Sequence, residues 1–208
     1  MLTKITKRIV KLWREYPIKQ YNSVQGWLTD NEAIALYRFA SKLPPHSVIV
    51  EIGTWKGKST FCLARGLHDG KIIAIDPFDA SGGEPAYQET KGDDSLIAQF
   101  KNNMQRLGVS QKIQIVQGYS SQCASQVPAP IDRLLIDGDH SKEACELDFQ
   151  LYAPLLRIGG LLLFHDFDRA RPTLGPTWVV QNRVVIPNGN YQVMGIFDSL
   201  FVVMKLRN

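Results

Sequence analysis

Short runs of isoleucine, leucine and valine recur along the sequence and are separated by longer amphipathic segments. Five such runs come first, at residues 48–50, 71–75, 113–116, 133–136 and 161–164. Apolar stretches of this length are typical of strands that are buried on both faces of a parallel sheet. They are far shorter than the roughly 20 residues that a membrane-spanning helix needs. The pattern therefore predicts a buried, mostly parallel sheet and no stable membrane insertion.

The segments between these runs place apolar residues at helical spacing. They predict helices at residues 58–67, 96–107, 121–127 and 142–156, and one earlier helix at 30–41. Thr29 or Asp30 would cap the earlier helix, and the prolines at 44–45 would end it. Strands that alternate with helices indicate parallel βαβ units and so an α/β fold. Two further strand-like runs, at residues 191–196 and 200–206, predict a terminal hairpin with one strand antiparallel to the rest.

Composition narrows the class of protein without pointing to a ligand. The 208 residues are 44% hydrophobic and 21% charged, as in a globular chain with one core. A net charge of +4 is too small to argue for nucleic acid as a partner. Cys62, Cys123 and Cys145 lack CxxC spacing, which disfavours a disulfide framework or a zinc site. We expect three small, buried cysteines in a cytoplasmic protein.

Two segments fall outside this pattern. Residues 1–14 are basic and carry an apolar stripe, which suits a helix that packs on the domain or, less favoured, one that touches a membrane surface or an acidic partner. We divide the chain into an N-terminal helical cap, residues 1–45, and a main domain, residues 46–208. Residues 79–94 are polar and glycine-rich, and they predict a lid or binding loop.

The first apolar run ends in a glycine-containing turn, EIGTWKGKST at residues 51–60. A phosphate-binding P-loop needs four residues between its two glycines, whereas Gly53 and Gly57 are separated by three. The dinucleotide fingerprint needs glycine where this chain has Trp55, which argues against a diphosphate ligand. Asp76 ends the second run, where an acid can accept hydrogen bonds from both ribose hydroxyls. A ligand with ribose but no phosphate at such a turn fits S-adenosylmethionine (SAM).

Four motifs together resemble those of class I SAM-dependent methyltransferases. They are VEIGTWKGKST at 50–60, IAIDP at 73–77, LIDGDH at 135–140 and GGLLLFHD at 159–166. Within that class the chain most resembles the small-molecule O-methyltransferase branch, in particular the macrocin and mycinamicin sugar O-methyltransferases. The resemblance implies a Rossmann-like, doubly wound sheet of seven strands, mostly parallel with an antiparallel last strand, with helices on both faces. It also implies Mg²⁺-assisted transfer of a methyl group from SAM to a hydroxyl of a small-molecule acceptor.

Two other functions stay open beside this one. The first is a P-loop-like nucleotide hydrolase, which the short glycine loop disfavours. The second is a non-catalytic domain of the same fold that binds SAM or a protein partner, since a fold by itself does not determine a function. A homo-oligomer is compatible with each of the three functions, and the sequence does not identify the acceptor.

The resemblance assigns cofactor contacts to residues that follow the predicted strands. The cofactor-binding set is Glu51, Gly53, Trp55, Ser59, Asp76, Ser120, Ser121 and Asp137. Gly53 would let the backbone approach the methionine part of SAM, and Ser59 would either reach the methionine carboxylate or cap the following helix. Trp55 would pack beside the cofactor or cover the edge of the sheet. Tyr119 would stack on the cofactor or pack in the core or rim.

Six polar side chains follow the fourth and fifth runs, at the sheet edge where open α/β proteins bind ligands. They are Asp137, Asp139, His140, His165, Asp166 and Asp168. Oxygen ligands suit Mg²⁺, and the resemblance implies Asp137 and Asp166 as metal ligands, with Asp139 as a weaker third. One further family ligand has no clear match, and Glu84 or Asp93 in the predicted loop could supply it.

The resemblance also implies a catalytic set, which is Asp137, His140 and His165. His140 resembles the general base of the family, because an imidazole with a pKa near 6.5 can accept the proton of an acceptor hydroxyl. Capping of the next helix is the alternative role for His140. His165 would act as an alternative base or would orient its neighbours.

Overall fold

A seven-stranded sheet lies at the centre of the molecule. The computed structural model describes residues 17–79, 95–186 and 189–208. The strands are β1 Ser47–Ile52, β2 Gly70–Asp76, β3 Ile113–Gln117, β4 Ile131–Ile136, β5 Leu156–Phe164, β6 Tyr191–Phe197 and β7 Leu200–Lys205. Their order across the sheet is β3-β2-β1-β4-β5-β7-β6.

The strand directions confirm the predicted Rossmann-like, doubly wound sheet. Strands β1 to β5 pair in parallel, and β7 pairs antiparallel with both β5 and β6. The chain proceeds outward from β1 to β2 and β3 and then returns to place β4 on the other side of β1. This reversal between β1 and β4 opens a crevice at the carboxyl ends of the strands, where open α/β sheets bind ligands.

Helices cover both faces of the sheet, as expected. They are α1 Asp30–Ser41, α2 Lys58–Gly66, α3 Leu96–Arg106, α4 Ser120–Cys123, α5 Lys142–Tyr152 and α6 Gly175–Val179. Short 3₁₀ turns occupy Lys19–Ser23, Ser110–Lys112, Ala124–Gln126 and Ala153–Leu155, and a π-helical turn occupies Val180–Val184. The helix predicted at 142–156 changes to a 3₁₀ turn after Tyr152, because Pro154 has no N–H group to continue the α-helical hydrogen bonds.

Two apolar clusters form the core, one on each face of the sheet. On the first face, α1, α2 and α3 contribute side chains such as Leu36, Phe61 and Phe100. On the second face, α5 and α6 contribute side chains such as Tyr152 and Val179. Helix α1 shares its cluster with α2 and β1, so the described part of the predicted cap, residues 1–45, packs on the main domain.

The three cysteines are buried and not paired in disulfides, as predicted from their spacing. In the described ranges, no helix has both the length and the apolar character needed to cross a membrane. The predictions of a basic amphipathic helix at residues 1–14 and of a metal ligand at Glu84 or Asp93 lie outside the described residues.

The turn after β1 is packed directly against the end of β4. Gly53 has a φ of +83°, and a Cβ atom built there would lie 2.0 Å from the carbonyl oxygen of Asp137. The Gly53 N–H donates to the carbonyl of Ile75 at 2.9 Å, and the Asp137 N–H donates to the carbonyl of Ile52 at 2.9 Å. The glycine is therefore required by contact between backbones and by its left-handed conformation.

Substitution of Gly53 by alanine should destabilise the fold by about 3 kcal/mol or more, because overpacking and left-handed strain both apply. Gly108 is a matched control, since it has a φ of +68° and an added Cβ there would meet nothing within 4 Å. Gly108→Ala should cost only about 1 kcal/mol, from strain alone. Urea unfolding measures both values, and equal losses would contradict the packing role assigned to Gly53.

Candidate functional site

Two cavities open at the carboxyl edge of the sheet, one on each side of the turn after β1. The first, here called the β2 cavity, has a volume of about 250 Å³ and is lined by Asp76, Gly118, Tyr119, Ser120 and Asp148 among others. The second, the β5 cavity, has a volume of about 220 Å³ and is lined by Trp27, Ser59, His140, His165 and Asp166 among others. Gly53, Trp55 and Asp137 line both cavities. The two cavities are therefore neighbours that share one wall.

Asp76 lies on the wall of the β2 cavity and is 8% exposed. Its Oδ2 accepts a hydrogen bond from the Trp55 N–H at 2.8 Å, and its Oδ1 accepts one from the Phe78 N–H at 2.7 Å. Burial raises the pKa of Asp76, although these backbone hydrogen bonds oppose the shift. An ionised carboxylate has about four acceptor positions, so Asp76 can accept further hydrogen bonds from a ligand.

Ser120 and Ser121 also line the β2 cavity, together with a residue that the sequence analysis missed. The Ser120 hydroxyl donates to Asp148 at 2.5 Å, and Asp148 is 3% exposed. Burial raises the pKa of Asp148 to about 6. The buried positions of α5 are Cys145, Asp148 and Tyr152, so an acid on the apolar face of a helix was the signal that could have revealed it.

Glu51 lies beneath the turn rather than in a cavity. It is 0% exposed and accepts hydrogen bonds from Ser59 Oγ at 2.5 Å and from Thr60 Oγ1 at 2.6 Å. Burial raises the pKa of Glu51 to about 7, and the negative charges of Asp137 and Asp76 add to the shift. Because Glu51 lines neither cavity, any effect on a ligand has to pass through residues such as Ser59.

Ser59 and Trp55 both face cavity space. Ser59 lines the β5 cavity and does not cap α2, since the N-cap position is Gly57. The alternative role of Ser59 as a helix cap was therefore wrong. Trp55 has a φ of +44° and stacks on Trp27, with ring centroids 5.0 Å apart. The sequence offered two roles for Trp55, and its position between the two cavities agrees with packing beside a ligand.

Four of the six predicted polar side chains meet in the β5 cavity. His165 Nδ1 lies 3.0 Å from Asp137 Oδ1 and 3.1 Å from Asp166 Oδ2. His140 Nε2 lies 3.1 Å from the same Asp166 oxygen. Asp137, His140 and Asp166 each offer one ligand atom, and these atoms lie within 4.8 Å of one another. Such a group of three has the spacing and the donor types that a divalent cation needs.

The contacts within this cluster shift the proton affinity of its members. The hydrogen bond to Asp166 raises the pKa of His140, against an opposing effect of burial. Burial lowers the pKa of His165, but the charge of Asp137 and the hydrogen bonds to carboxylates outweigh it and raise this pKa far above its ordinary value. Burial raises the pKa of Asp166, but hydrogen bonds from His140 and His165 outweigh it and hold this pKa far below its usual range. These contacts favour the protonated form of His165, whose ring lies between carboxylates.

The other two predicted polar residues point elsewhere. Asp139 lines the β2 cavity and its Oδ1 accepts a hydrogen bond from the Ser141 N–H at 2.6 Å, so it lies outside the group of three ligand atoms. Asp168 accepts from the Ala170 N–H and from Arg171 Nε, both at 2.9 Å. The role of Asp139 as a third metal ligand stays a prediction that this geometry does not support.

Most of the outer wall of the β5 cavity was not predicted from the sequence. Gly26, Trp27 and Leu28 line it from the segment before α1, and Arg171 lines it from the loop after β5. More than half of the Trp27 side chain is exposed. Arg171 belongs to the basic stretch RARP at residues 169–172, which follows β5 in the sequence. No sequence signal placed the segment before α1 beside the site, because that contact depends on how α1 packs.

A family model described as a methyltransferase domain matches residues 50–167, which include the second half of β1, the whole of β2 to β5 and all four predicted motifs. An uncharacterized protein, R132 of Acanthamoeba polyphaga mimivirus, is 29% identical over 128 residues. The match covers 59% of this chain and 52% of R132, so the chain spans about half the length of that relative.

Solved structures of low sequence identity share the fold. Cofactor-bound Rv0187 from MTB has a TM-score of 0.68 at 18% identity, with 93% of this chain and 89% of that chain covered. The O-methyltransferase TomG from Streptomyces achromogenes, in complex with SAM, has a TM-score of 0.65 at 16% identity, with 95% and 89% covered. An O-methyltransferase from Bacillus cereus in complex with SAH has a TM-score of 0.62 at 14% identity, with 95% and 91% covered.

The buried carboxyl of Glu51 predicts a pH-dependent cost to stability. Its pKa is raised from the usual 4.5 of a glutamate to about 7 in the folded protein. Between these pH values the folded state binds more protons than the unfolded state, so the Glu51 contribution to stability falls as the pH rises. Glu51→Gln should become more stable relative to wild type by up to about 3 kcal/mol across this range. Urea unfolding of both proteins between pH 5 and pH 8 measures this difference in the free energy of unfolding.

Glu143→Gln on the exposed surface of α5 is the control for this experiment. Glu51→Gln should show the larger change of stability with pH, because Glu51 is buried and Glu143 is exposed. A constant difference for Glu51→Gln would mean that Glu51 is not held in a protonated form.

Proposed function

The chain belongs to a methyltransferase domain family, and from this premise we propose that it transfers a methyl group from SAM to a hydroxyl of a small molecule. The observation that carries the proposal is the wall that the two cavities share. Gly53, Trp55 and Asp137 line both, so a nucleoside held in the β2 cavity would lie next to the polar cluster of the β5 cavity. A methyl donor and its acceptor have to meet in this way, because transfer requires the reacting atoms to be in contact.

The β2 cavity suits the nucleoside part of SAM. Asp76 offers acceptor positions for the ribose hydroxyls, and Tyr119 and Ser120 lie where the adenine would be held. Apolar side chains, such as Leu96 and Leu147, line the same cavity. The proposed adenosyl site thus combines an apolar surface with a few polar groups, as small-molecule sites usually do.

The methionine part of SAM would lie by the turn between β1 and α2. Thr54 lines the β5 cavity and is 2% exposed, and its Oγ1 has no hydrogen-bond partner in the part of the chain that the structure describes. A buried hydroxyl without a partner is costly, and a charged group of the methionine moiety would satisfy it. The free amides at the N-terminus of α2, near Ser59, favour a carboxylate at the same place.

Asp137 and Asp166, with His140 beside them, are the residues that would hold Mg²⁺. The 4.8 Å grouping of their ligand atoms fits such an ion. Asp166 also has a φ of +57°, a strained conformation for a residue other than glycine. When bound, Mg²⁺ would lower the pKa of an acceptor hydroxyl and fix its position.

The chain's own groups then have separate roles. His140 would receive the acceptor proton on the ring nitrogen that does not face Asp166, because Nε2 donates a hydrogen bond to that carboxylate. The acceptor oxygen forms a bond to the methyl carbon while the bond from that carbon to sulfur breaks, and S-adenosylhomocysteine (SAH) leaves with the electron pair on sulfur. Asp166 holds the imidazole of His140 in place, and His165 holds the carboxylates of Asp137 and Asp166. The indoles of Trp27 and Trp55 limit access of water.

The acceptor would bind in the β5 cavity. A volume of about 220 Å³ suits a small molecule, and the stacked pair Trp27 and Trp55 offers an apolar wall for the face of a sugar or aromatic ring. The finer proposal of a sugar O-methyltransferase of the macrocin and mycinamicin type rests on the sequence resemblance. Three buried cysteines without disulfides suit the cytoplasm, which we propose as the place of action.

Asp76→Asn should weaken SAH binding by about 10- to 100-fold, because charge-assisted hydrogen bonds to the ribose would be lost. Asp69→Asn is the matched control, since Asp69 is an exposed carboxylate that precedes the opposite end of β2. Isothermal titration measures both affinities. Binding of ATP but not of SAH by the wild type would favour a nucleotide hydrolase and overturn the proposal.

Asp166→Asn should lower Mg²⁺-dependent methyl transfer by about 100-fold or more, since a metal ion contributes several kcal/mol to the transition state, while SAH affinity is retained. Asp69→Asn is the control here too, because Asp69 is exposed and lines neither cavity. A panel of phenols and sugars with labelled SAM provides the assay. No transfer by wild type to any member, with SAH binding intact, would favour a non-catalytic SAM-binding domain.

A further inference from the structure

Glu32 is a buried acid that joins three parts of the chain. It lies in the first turn of α1, outside the residues that match the family model, and is 2% exposed. Its Oε2 accepts a hydrogen bond from the Thr29 N–H at 2.8 Å, which completes a capping box. Its Oε1 accepts hydrogen bonds from the N–H of Ser199 at 2.9 Å and from the Ser199 hydroxyl at 2.7 Å. Ser199 lies in the turn between β6 and β7.

The same carboxylate lies directly behind the polar cluster. Glu32 Oε2 is 3.5 Å from His165 Nε2, which is an ion-pair distance without a hydrogen bond. On the opposite side of the ring, His165 Nδ1 contacts Asp137 and Asp166 at 3.0 and 3.1 Å. His165 is 5% exposed, so solvent does not readily replace any of these partners. The imidazole therefore links a carboxylate of α1 to the carboxylates that follow β4 and β5.

A helix cap does not explain a charge at this position. Glutamine completes a capping box as well as glutamate does, and it avoids the cost of burying an ionised group. The group that faces the Glu32 carboxylate is the buried Nε2 of His165, which lies 3.5 Å away and has no hydrogen-bond partner in the described residues. Polar groups behind metal-binding carboxylates commonly set their orientation.

We propose that Glu32 is a positioning residue of the active site. Its carboxylate lies against Nε2 and keeps Nδ1 of His165 directed at Asp137 and Asp166, and His165 in turn fixes the spacing of those two carboxylates. Helix α1 and the turn between β6 and β7 thereby become part of the site. The proposal rests on the proposed function in so far as Asp137 and Asp166 hold the metal.

The chain offers a matched control at the same junction. Asn31, the neighbour of Glu32 on α1, donates from Nδ2 to Asp198 Oδ1 at 3.2 Å on the exposed side. Removing this side chain weakens the contact between α1 and the β6–β7 turn without touching His165. A purely structural role of Glu32 predicts that Glu32 and Asn31 variants differ only in stability.

The test compares Glu32→Gln with Asn31→Ala in the full chain. Glu32→Gln should weaken Mn²⁺ binding, followed by electron paramagnetic resonance, and lower kcat by about 10- to 100-fold. SAH affinity and the KM for SAM should stay unchanged, because Asp76 is untouched. Asn31→Ala should leave all four quantities unchanged. If Glu32→Gln lowers only the melting temperature, the positioning role is overturned.

If Glu32→Gln does not fold, the milder variant Ser199→Ala tests the same positioning role. Ser199→Ala removes only the hydroxyl that donates to Glu32 Oε1, and it should weaken Mn²⁺ binding in the same direction but by less. Unchanged Mn²⁺ affinity in Ser199→Ala would then overturn the proposal.

A separate measurement distinguishes failure of the proposed function from failure of this inference. If the wild type binds no Mn²⁺ and transfers no methyl group, the metal-assisted function is wrong. The sequence has four histidines, so the ring signals of His165 can be assigned in a ¹⁵N-histidine spectrum with a His165→Gln variant. Glu32→Gln or Ser199→Ala should move these signals and Asn31→Ala should not; unmoved signals overturn the positioning role.

Discussion

The contact between the turn after β1 and the end of β4 organises the whole site. A Cβ on Gly53 would lie 2.0 Å from the Asp137 carbonyl oxygen, so two backbones touch at the point where the sheet reverses direction. One side of this contact faces Asp76, and the other faces His140, His165 and Asp166. Gly53 and Asp137 line both cavities, so this contact forms part of the wall between them. A methyl donor that spans the turn would reach both.

Buried ionisable side chains are concentrated around the turn after β1, and each has polar partners close by. Glu51 is buried beneath the turn and is held by two hydroxyl donors, while the His165 ring lies between carboxylates that favour its protonated form. Buried charges are tolerated when each one has a partner of opposite charge or enough hydrogen bonds. Glu32 belongs to this balance although it comes from α1, far from the motifs in sequence.

Local sequence patterns predicted much of the fold but only part of the site. Asp137 and Asp139 are two residues apart in one motif, yet Asp137 joins both cavities and Asp139 faces only the β2 cavity. Glu51 fits the family pattern but lies under the turn, where it holds Ser59 and Thr60. Asp148 and Glu32 were missed because each belongs to a helix whose buried face becomes part of the site only after packing.

The sequence alone determined the strands, the helices and the sheet edge that carries the chemistry. Apolar runs and glycine positions act over a few residues, and parallel strands bring their carboxyl ends to one edge whatever the details of packing. The tertiary structure alone decided which side chains face one another across that edge. This depends on how α1 and the β6–β7 turn pack behind β5, since the partners of His165 come from segments more than a hundred residues apart in the sequence.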